Sequence, residues 1–241
     1  MTVPKKSKTN VIDDATQTLQ TFDLLDLQDY TQEKSYSGNA SKDFHLFYAG
    51  RDNVHGLLKH VLSRVSVSLY MNMFGYDDDE LNDIIIKLIE DPDVTVLVTL
   101  DKSQASGKHE KAILDLDRKK AKLAAFNSHI VIGQSPTHQI SHTKGFIADG
   151  KVGGEGSTNW SVSGEGAFVA GRTTAGGPGF KAQNNTQTIF TDPDAVNRFQ
   201  TELIAEHLAA MKSAEAAATA VKPAKQPERS ARQPAKQPAL A

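Results

Sequence analysis

The chain of 241 residues contains no cysteine, which excludes disulfides and thiolate metal centres and leaves the redox compartment unmarked. It also has no apolar run near the roughly 18 residues that a membrane-spanning helix needs. The first ten residues, MTVPKKSKTN, carry positive charge without an apolar segment behind them, so they do not read as a secretory leader. A cytoplasmic location without integral membrane association is the expectation. Neither sign of charge dominates: 27 basic residues face 29 acidic ones. Any attraction to a polyanion must therefore come from a local cluster. Tryptophan occurs once. What is present, 39% hydrophobic and 23% charged residues, is ordinary for a globular chain long enough to bury a sizeable core.

Three segments are expected. Residues 1–41 read as a polar, loosely attached arm with one apolar patch at Phe22, Leu24, Leu25 and Leu27. Residues 42–212 carry the regular patterns of a folded domain. Phe44–Tyr48 reads as a strand. Arg51–Val65 has helical spacing through Val54, Leu57, Leu58, Val61 and Leu62. Ser66–Met73 alternates as a strand, and Asp77–Glu90 opens with acids and continues Leu81, Ile84, Ile85, Leu88 as an amphipathic helix stopped by Pro92. Asp93–Leu100 is a β-branched strand, Lys108–Phe126 a helix and His129–Ile132 a short strand. Lys144–Asp149, a Gly-rich turn, a strand near Thr186–Thr191 and a helix from Asp194 to about Lys212 complete the domain. This alternation predicts an α/β fold with a central mixed, largely parallel β-sheet flanked by helices. Gly164–Gln183 holds six glycines and reads as a long loop. Residues 213–241 turn to Ala, Pro, Lys and Gln, with Pro223–Pro227 repeated as Pro234–Pro238; a disordered tail is expected.

The chemistry concentrates between Ser141 and Trp160. His142 and Lys144 stand two apart in a strand-like segment, so both side chains share one face. The chain reverses at Asp149-Gly150 and reaches Gly156-Ser157-Thr158-Asn159, where a glycine admits close backbone approach beside a hydroxyl and an amide. Lysine, hydroxyl, amide and backbone donors suit the non-bridging oxygens of a phosphodiester and the charge of its pentacovalent transition state. Histidine can attack phosphorus or protonate a leaving alkoxide. No cofactor and no metal ligand set is called for: a metal at His129, His138 and His142 is disfavoured because no carboxylate has ligand spacing beside them. Asp77–Glu80 reads as acids meeting a helix macrodipole rather than a cation. Lys108, Lys111, Arg118, Lys119, Lys120 and Lys122 read as a solvated helix face, and Trp160 as packing.

His142, Lys144, Asp149, Gly156, Ser157 and Asn159 resemble the H-x-K-x4-D-x6-G-S-x-N pattern (the HKD motif) of the phospholipase D superfamily, with every spacing intact over 18 residues. Residues 42–210, and the single copy of the motif, resemble its Nuc-like endonucleases. The resemblance implies the phospholipase D/nuclease fold and a metal-independent phosphodiester hydrolase acting on DNA or RNA. It implies a homodimer in which His142 forms a phosphohistidine while the second subunit's histidine serves as acid. It further implies that Lys144, Ser157 and Asn159 bind phosphate and that Asp149 fixes the turn with Gly156. Nuc-like proteins support the histidine with a glutamate; here Asn185 or Gln187 stands in that region. A phospholipase D acting on lipid head groups and a catalytically weak nucleic-acid-binding module are the alternatives.

Overall fold

A computed structural model describes residues 24–101, 107–109, 111–113, 115–116, 128–133, 142–167 and 181–220. Strand β1, Phe44–Tyr48, leads into helix α1, Val54–Leu62, whose first turn is capped by Asn53 accepting from the Gly56 N–H at 3.0 Å. Strand β2, Ser68–Met73, is followed by the short β3, Tyr76–Asp77, and by helix α2, Asp79–Glu90. Strands β4, Thr95–Asp101, and β5, Ser128–Gly133, come next, and the described positions between 108 and 116 are helical. β6, Lys144–Ala148, and β7, Val152–Gly156, form a hairpin; β8, Trp160–Ser161, β9, Thr186–Phe190, and helix α3, Pro193–Ala220, complete the set.

Seven of these strands form one mixed sheet in the order β1-β9-β7-β6-β2-β4-β5. The expected α/β architecture is present, but parallel pairing within this sheet is confined to β2, β4 and β5; the separate β3–β8 pair is also parallel. The other four junctions are antiparallel. Strand–helix alternation, which forces parallel crossovers, is not seen among the described residues between β5 and β9, where β6 and β7 are joined directly as a hairpin. β7 occupies what reads in sequence as a Gly-rich turn. Its glycines leave room for rings: a Cβ on Gly153 would meet Phe190 Cε2 at 2.2 Å, and one on Gly154 would meet Phe146 Cε1 at 2.3 Å. Aromatic residues of neighbouring strands thus fill the space that side chains of β7 would occupy.

α1 and α2 cover one face of the sheet, burying Leu57, Leu58, Leu62, Leu81, Ile85 and Leu88 against Met71, Val96, Val98 and Phe146. α3 lies across the other face, where Val196 and Leu203 meet Ile147 and Phe190. Two boundaries differ from the sequence expectation. Leu24 and Leu27, on a 3-10 helix spanning Leu24–Tyr30, are fully buried beside α1, so this part of the 1–41 segment is core rather than loose arm. Burial of each such leucine contributes roughly 1.5–3 kcal/mol toward the entropy cost of ordering the segment. α3 runs on to Ala220 instead of ending at Lys212, because Ala-rich sequence is a good helix former. Residues 221–241 of the expected tail, and most of the Gly164–Gln183 loop, lie outside the described residues.

Candidate active site

The sheet topology brings the expected catalytic positions to one edge. β2 and β6 are antiparallel with Met73 opposite Lys144, β6 and β7 are antiparallel, and Gly156 pairs with Gln187 of β9. The end of β2, the start of β6, the end of β7 and the start of β9 therefore coincide. His142 lies exposed just before β6, and its ring rests on Phe74 at a centroid distance of 4.7 Å. Lys144 is buried, with its Nζ 5.0 Å from the centre of the same Phe74 ring and donating to the His142 carbonyl at 2.7 Å. Phe74 thus serves as a common wall that holds imidazole and ammonium in register. Burial moves the Lys144 pKa below the ordinary lysine value, with the Glu155 charge pulling the other way.

The second half of the motif completes the rim. The Ser157 hydroxyl donates to Asn185 Oδ1 at 3.3 Å and accepts from the Thr186 N–H at 3.0 Å. Asn185 in turn donates to the Gly164 carbonyl and to Gln183 Oε1, both at 3.0 Å. Asn159 sits against Gly75, where a Cβ would come within 2.9 Å of its Cγ; its Oδ1 is buried without a hydrogen-bond partner. Gly156 is obligatory for a similar reason, since a Cβ there would lie 2.1 Å from the Thr186 carbonyl oxygen. The trio of hydroxyl, amide and ammonium beside an exposed imidazole can hold an anion and deliver a nucleophile to it.

Asp149 stands at the far end of β6 from this edge. With Gly150 it forms the hairpin turn, at φ 53° and 66°, the left-handed pair that a tight two-residue reversal requires. Its carboxylate accepts from the N–H groups of Ser66 at 3.1 Å, Val67 at 2.8 Å and Ser68 at 2.9 Å and from the Ser66 hydroxyl at 3.0 Å. It ties the hairpin to the start of β2 and touches none of the motif's other side chains among the described contacts. The expected support of His142 by Asn185 or Gln187 takes a different form. Asn185 is engaged by Ser157 and the Gly164 loop, and Gln187 is buried in β9 with its amide donating to the Thr188 carbonyl at 3.1 Å. The described partner of the imidazole is Phe74. Trp160 is fully buried between Phe146 and Tyr76, as a packing residue should be.

Sequence reading missed Phe74 and Gly75. The signal was an aromatic-glycine pair ending a predicted strand, which marks a backbone turning sharply at a sheet edge but does not name what stacks there. His138 and Arg118–Lys122 lie outside the described residues. No described helix is long and apolar enough to cross a membrane.

No protein-family model matches the chain, and no curated protein does. Solved structures do match. Nuc from Salmonella typhimurium, a phospholipase D family member, superposes with a TM-score of 0.50 at 14% identity over 68% of this chain and 92% of that one. NucT from Helicobacter pylori gives 0.51 at 15% identity over 69% and 96%. The chain has the phospholipase D fold. The fold extends to larger proteins: phosphatidylserine synthase of Haemophilus influenzae gives 0.52 at 12% identity over 75% of this chain and 44% of the synthase. Within this phospholipase D fold the His142, Lys144, Ser157 and Asn159 cluster occupies the shared strand edge, while Asp149 occupies the opposite one.

Proposed function

We propose that the chain is a metal-independent phosphodiesterase, an endonuclease acting on DNA without strong sequence preference, with RNA as the second candidate substrate. The observation that carries this reading is the convergence of exposed His142, buried Lys144 and the Ser157 and Asn159 side chains at one sheet edge. His142 attacks phosphorus through a ring nitrogen, the P–O bond to the leaving strand breaks, and the product is a phosphohistidine plus an alkoxide that takes up a proton. Lys144 and Asn159 hold the non-bridging oxygens, whose charge grows in the transition state. Water then displaces the histidine. Each site has one such imidazole, whereas the two-step reaction uses one as nucleophile and a second as acid and base. A second copy of the chain across a twofold axis supplies it from the identical surface.

The test is turnover of plasmid, single-stranded DNA, RNA and phosphatidylcholine vesicles by wild type and His142→Ala in chelator, with acid-labile phosphate trapped on the wild-type chain. Cleavage of nucleic acid with trapped label supports the reading; equal activity of His142→Ala removes it, and turnover of vesicles alone reassigns the substrate to lipid. Equal co-refolding of wild-type and His142→Ala chains gives about a quarter of doubly competent dimers, so shared-site activity falls to about a quarter of wild type. Independent chains retain about half.

A further inference from the structure

A second cluster of ligand-type side chains lies apart from His142. His55 of α1, Asp78 at the cap of α2 and Glu165 in the loop after β8 are all buried, and one ligand atom from each lies within 4.8 Å of the others. His55 Nδ1 is 2.5 Å from Glu165 Oε2 and 3.5 Å from Asp78 Oδ2. We propose that these three side chains form a binding site for a divalent cation of the zinc class, which braces the loop after β8 that holds Asn185.

Four observations support it. First, the Glu165 side chain is entirely inaccessible, yet its Oε1 has no hydrogen-bond partner. A buried carboxylate oxygen without a donor is costly and asks for a cation. Second, Asp78 divides its oxygens: Oδ1 caps α2 by accepting from the Leu81 N–H at 2.7 Å, and Oδ2 is the one turned to His55. Capping the helix and ligating an ion therefore do not compete. Third, charge is unbalanced. Two buried carboxylates share one imidazole, and Glu80, 3.5 Å from His55 Nε2, adds a third acid already engaged by Lys59. Fourth, the distances suit the ion. Ligand bonds of about 2.1 Å place tetrahedral donors roughly 3.4 Å apart. The His55–Asp78 edge already has that length. The His55–Glu165 edge must open by about 1 Å, which replaces their shared proton by the ion and releases it to solvent. One imidazole nitrogen with two carboxylate oxygens leaves the fourth position to water, a set that zinc accepts better than magnesium.

A cavity of about 380 Å³ lined by His55, Lys59, His60 and Glu80 adjoins one member of the cluster, His55. The consequence of ion binding is mechanical. The Glu165 N–H donates to the Ser161 carbonyl at 2.9 Å, and the adjacent Gly164 carbonyl holds Asn185. An ion here ties α1, α2 and the rim of the His142 site together without touching the reacting atoms.

The experiment is isothermal titration of untagged full-length protein with ZnCl2 and, separately, MgCl2, in two buffers of different ionisation enthalpy, alongside thermal melts. Wild type should take up one Zn²⁺ with proton release, prefer it to Mg²⁺, and gain roughly 5–10 °C in Tm at a hundredfold excess over Kd. Glu165→Gln, which keeps the shape, and Asp78→Asn, which keeps the cap oxygen, should each weaken binding at least about tenfold. His142→Ala should bind zinc as wild type does, which separates this site from catalysis. Absence of a saturable site, or binding unchanged in both ligand variants, overturns the proposal whatever the protein does to nucleic acid.

Discussion

Replacing Asp149 separates architecture from chemistry within the motif. Its carboxylate receives three backbone N–H groups and one hydroxyl from Ser66, Val67 and Ser68. Hydrogen bonds to a charged acceptor contribute about 1.5–3 kcal/mol each when sheltered. Here Val67 is exposed and Asp149 only half-buried, so water replaces part of what is lost. A net destabilisation of about 2–4 kcal/mol is expected for Asp149→Ala, about 1 kcal/mol of it from placing alanine at φ 53°. Asp149→Gly removes the same hydrogen bonds but relaxes the backbone, so it should be milder by about that last kcal/mol. Asp149→Asn keeps one acceptor and tolerates the left-handed conformation, and should fall below both in cost. Urea unfolding at fixed m-value measures the differences. For a chain of this size the alanine variant should melt roughly 5–15 °C lower. Below its transition it should still turn over substrate at near the wild-type rate per folded molecule. An Asp149→Ala protein of wild-type stability and no activity would refute the reasoning and place the carboxylate in the reaction.

His142→Ala should abolish turnover while leaving the unfolding free energy within about 0.5 kcal/mol of wild type, because the imidazole is exposed and its ring contact among the described residues is Phe74; parallel activity and unfolding curves check this. If Lys144 acts in its charged form, as the proposed function has it, kcat/KM should decline on the alkaline side before an ordinary lysine, of pKa about 10.4, would lose its proton, because burial lowers the Lys144 pKa. Glu155→Gln removes a charge that raises that pKa and should move the decline to lower pH; a shift to higher pH contradicts the assignment. Gly156→Ala forces a Cβ against the Thr186 carbonyl, so β7 and β9 must separate: a cost on the order of 1–3 kcal/mol, with a larger loss of kcat than of stability, is expected from melts and kinetics together.

Local pattern was sufficient for β1, α1, β2, α2 and β4, since each reports its buried face through a period of 2 or 3.6 residues that survives in the linear order. The Asp149-Gly150 reversal was equally legible, because only a few residues tolerate two consecutive positive φ angles. The spacing from His142 to Asn159 pointed to the phospholipase D fold before any coordinates. Other features have no linear trace. β7 is a strand only because Phe146 and Phe190 lie over its glycines. Leu24 and Leu27 are core only because α1 is there to receive them. The later strands turned antiparallel because the chain returns by a hairpin where no described helix makes a crossover. Phe74 joins His142 and Lys144 from 68 and 70 residues away, and His55 meets Glu165 across 110 positions. Residue type and spacing determine which groups a chain can offer to a reaction. Which of them share a dielectric, a proton or an ion is decided when sheet register brings distant strands to a common edge, because those interactions act over a few ångströms of space and are blind to separation along the chain.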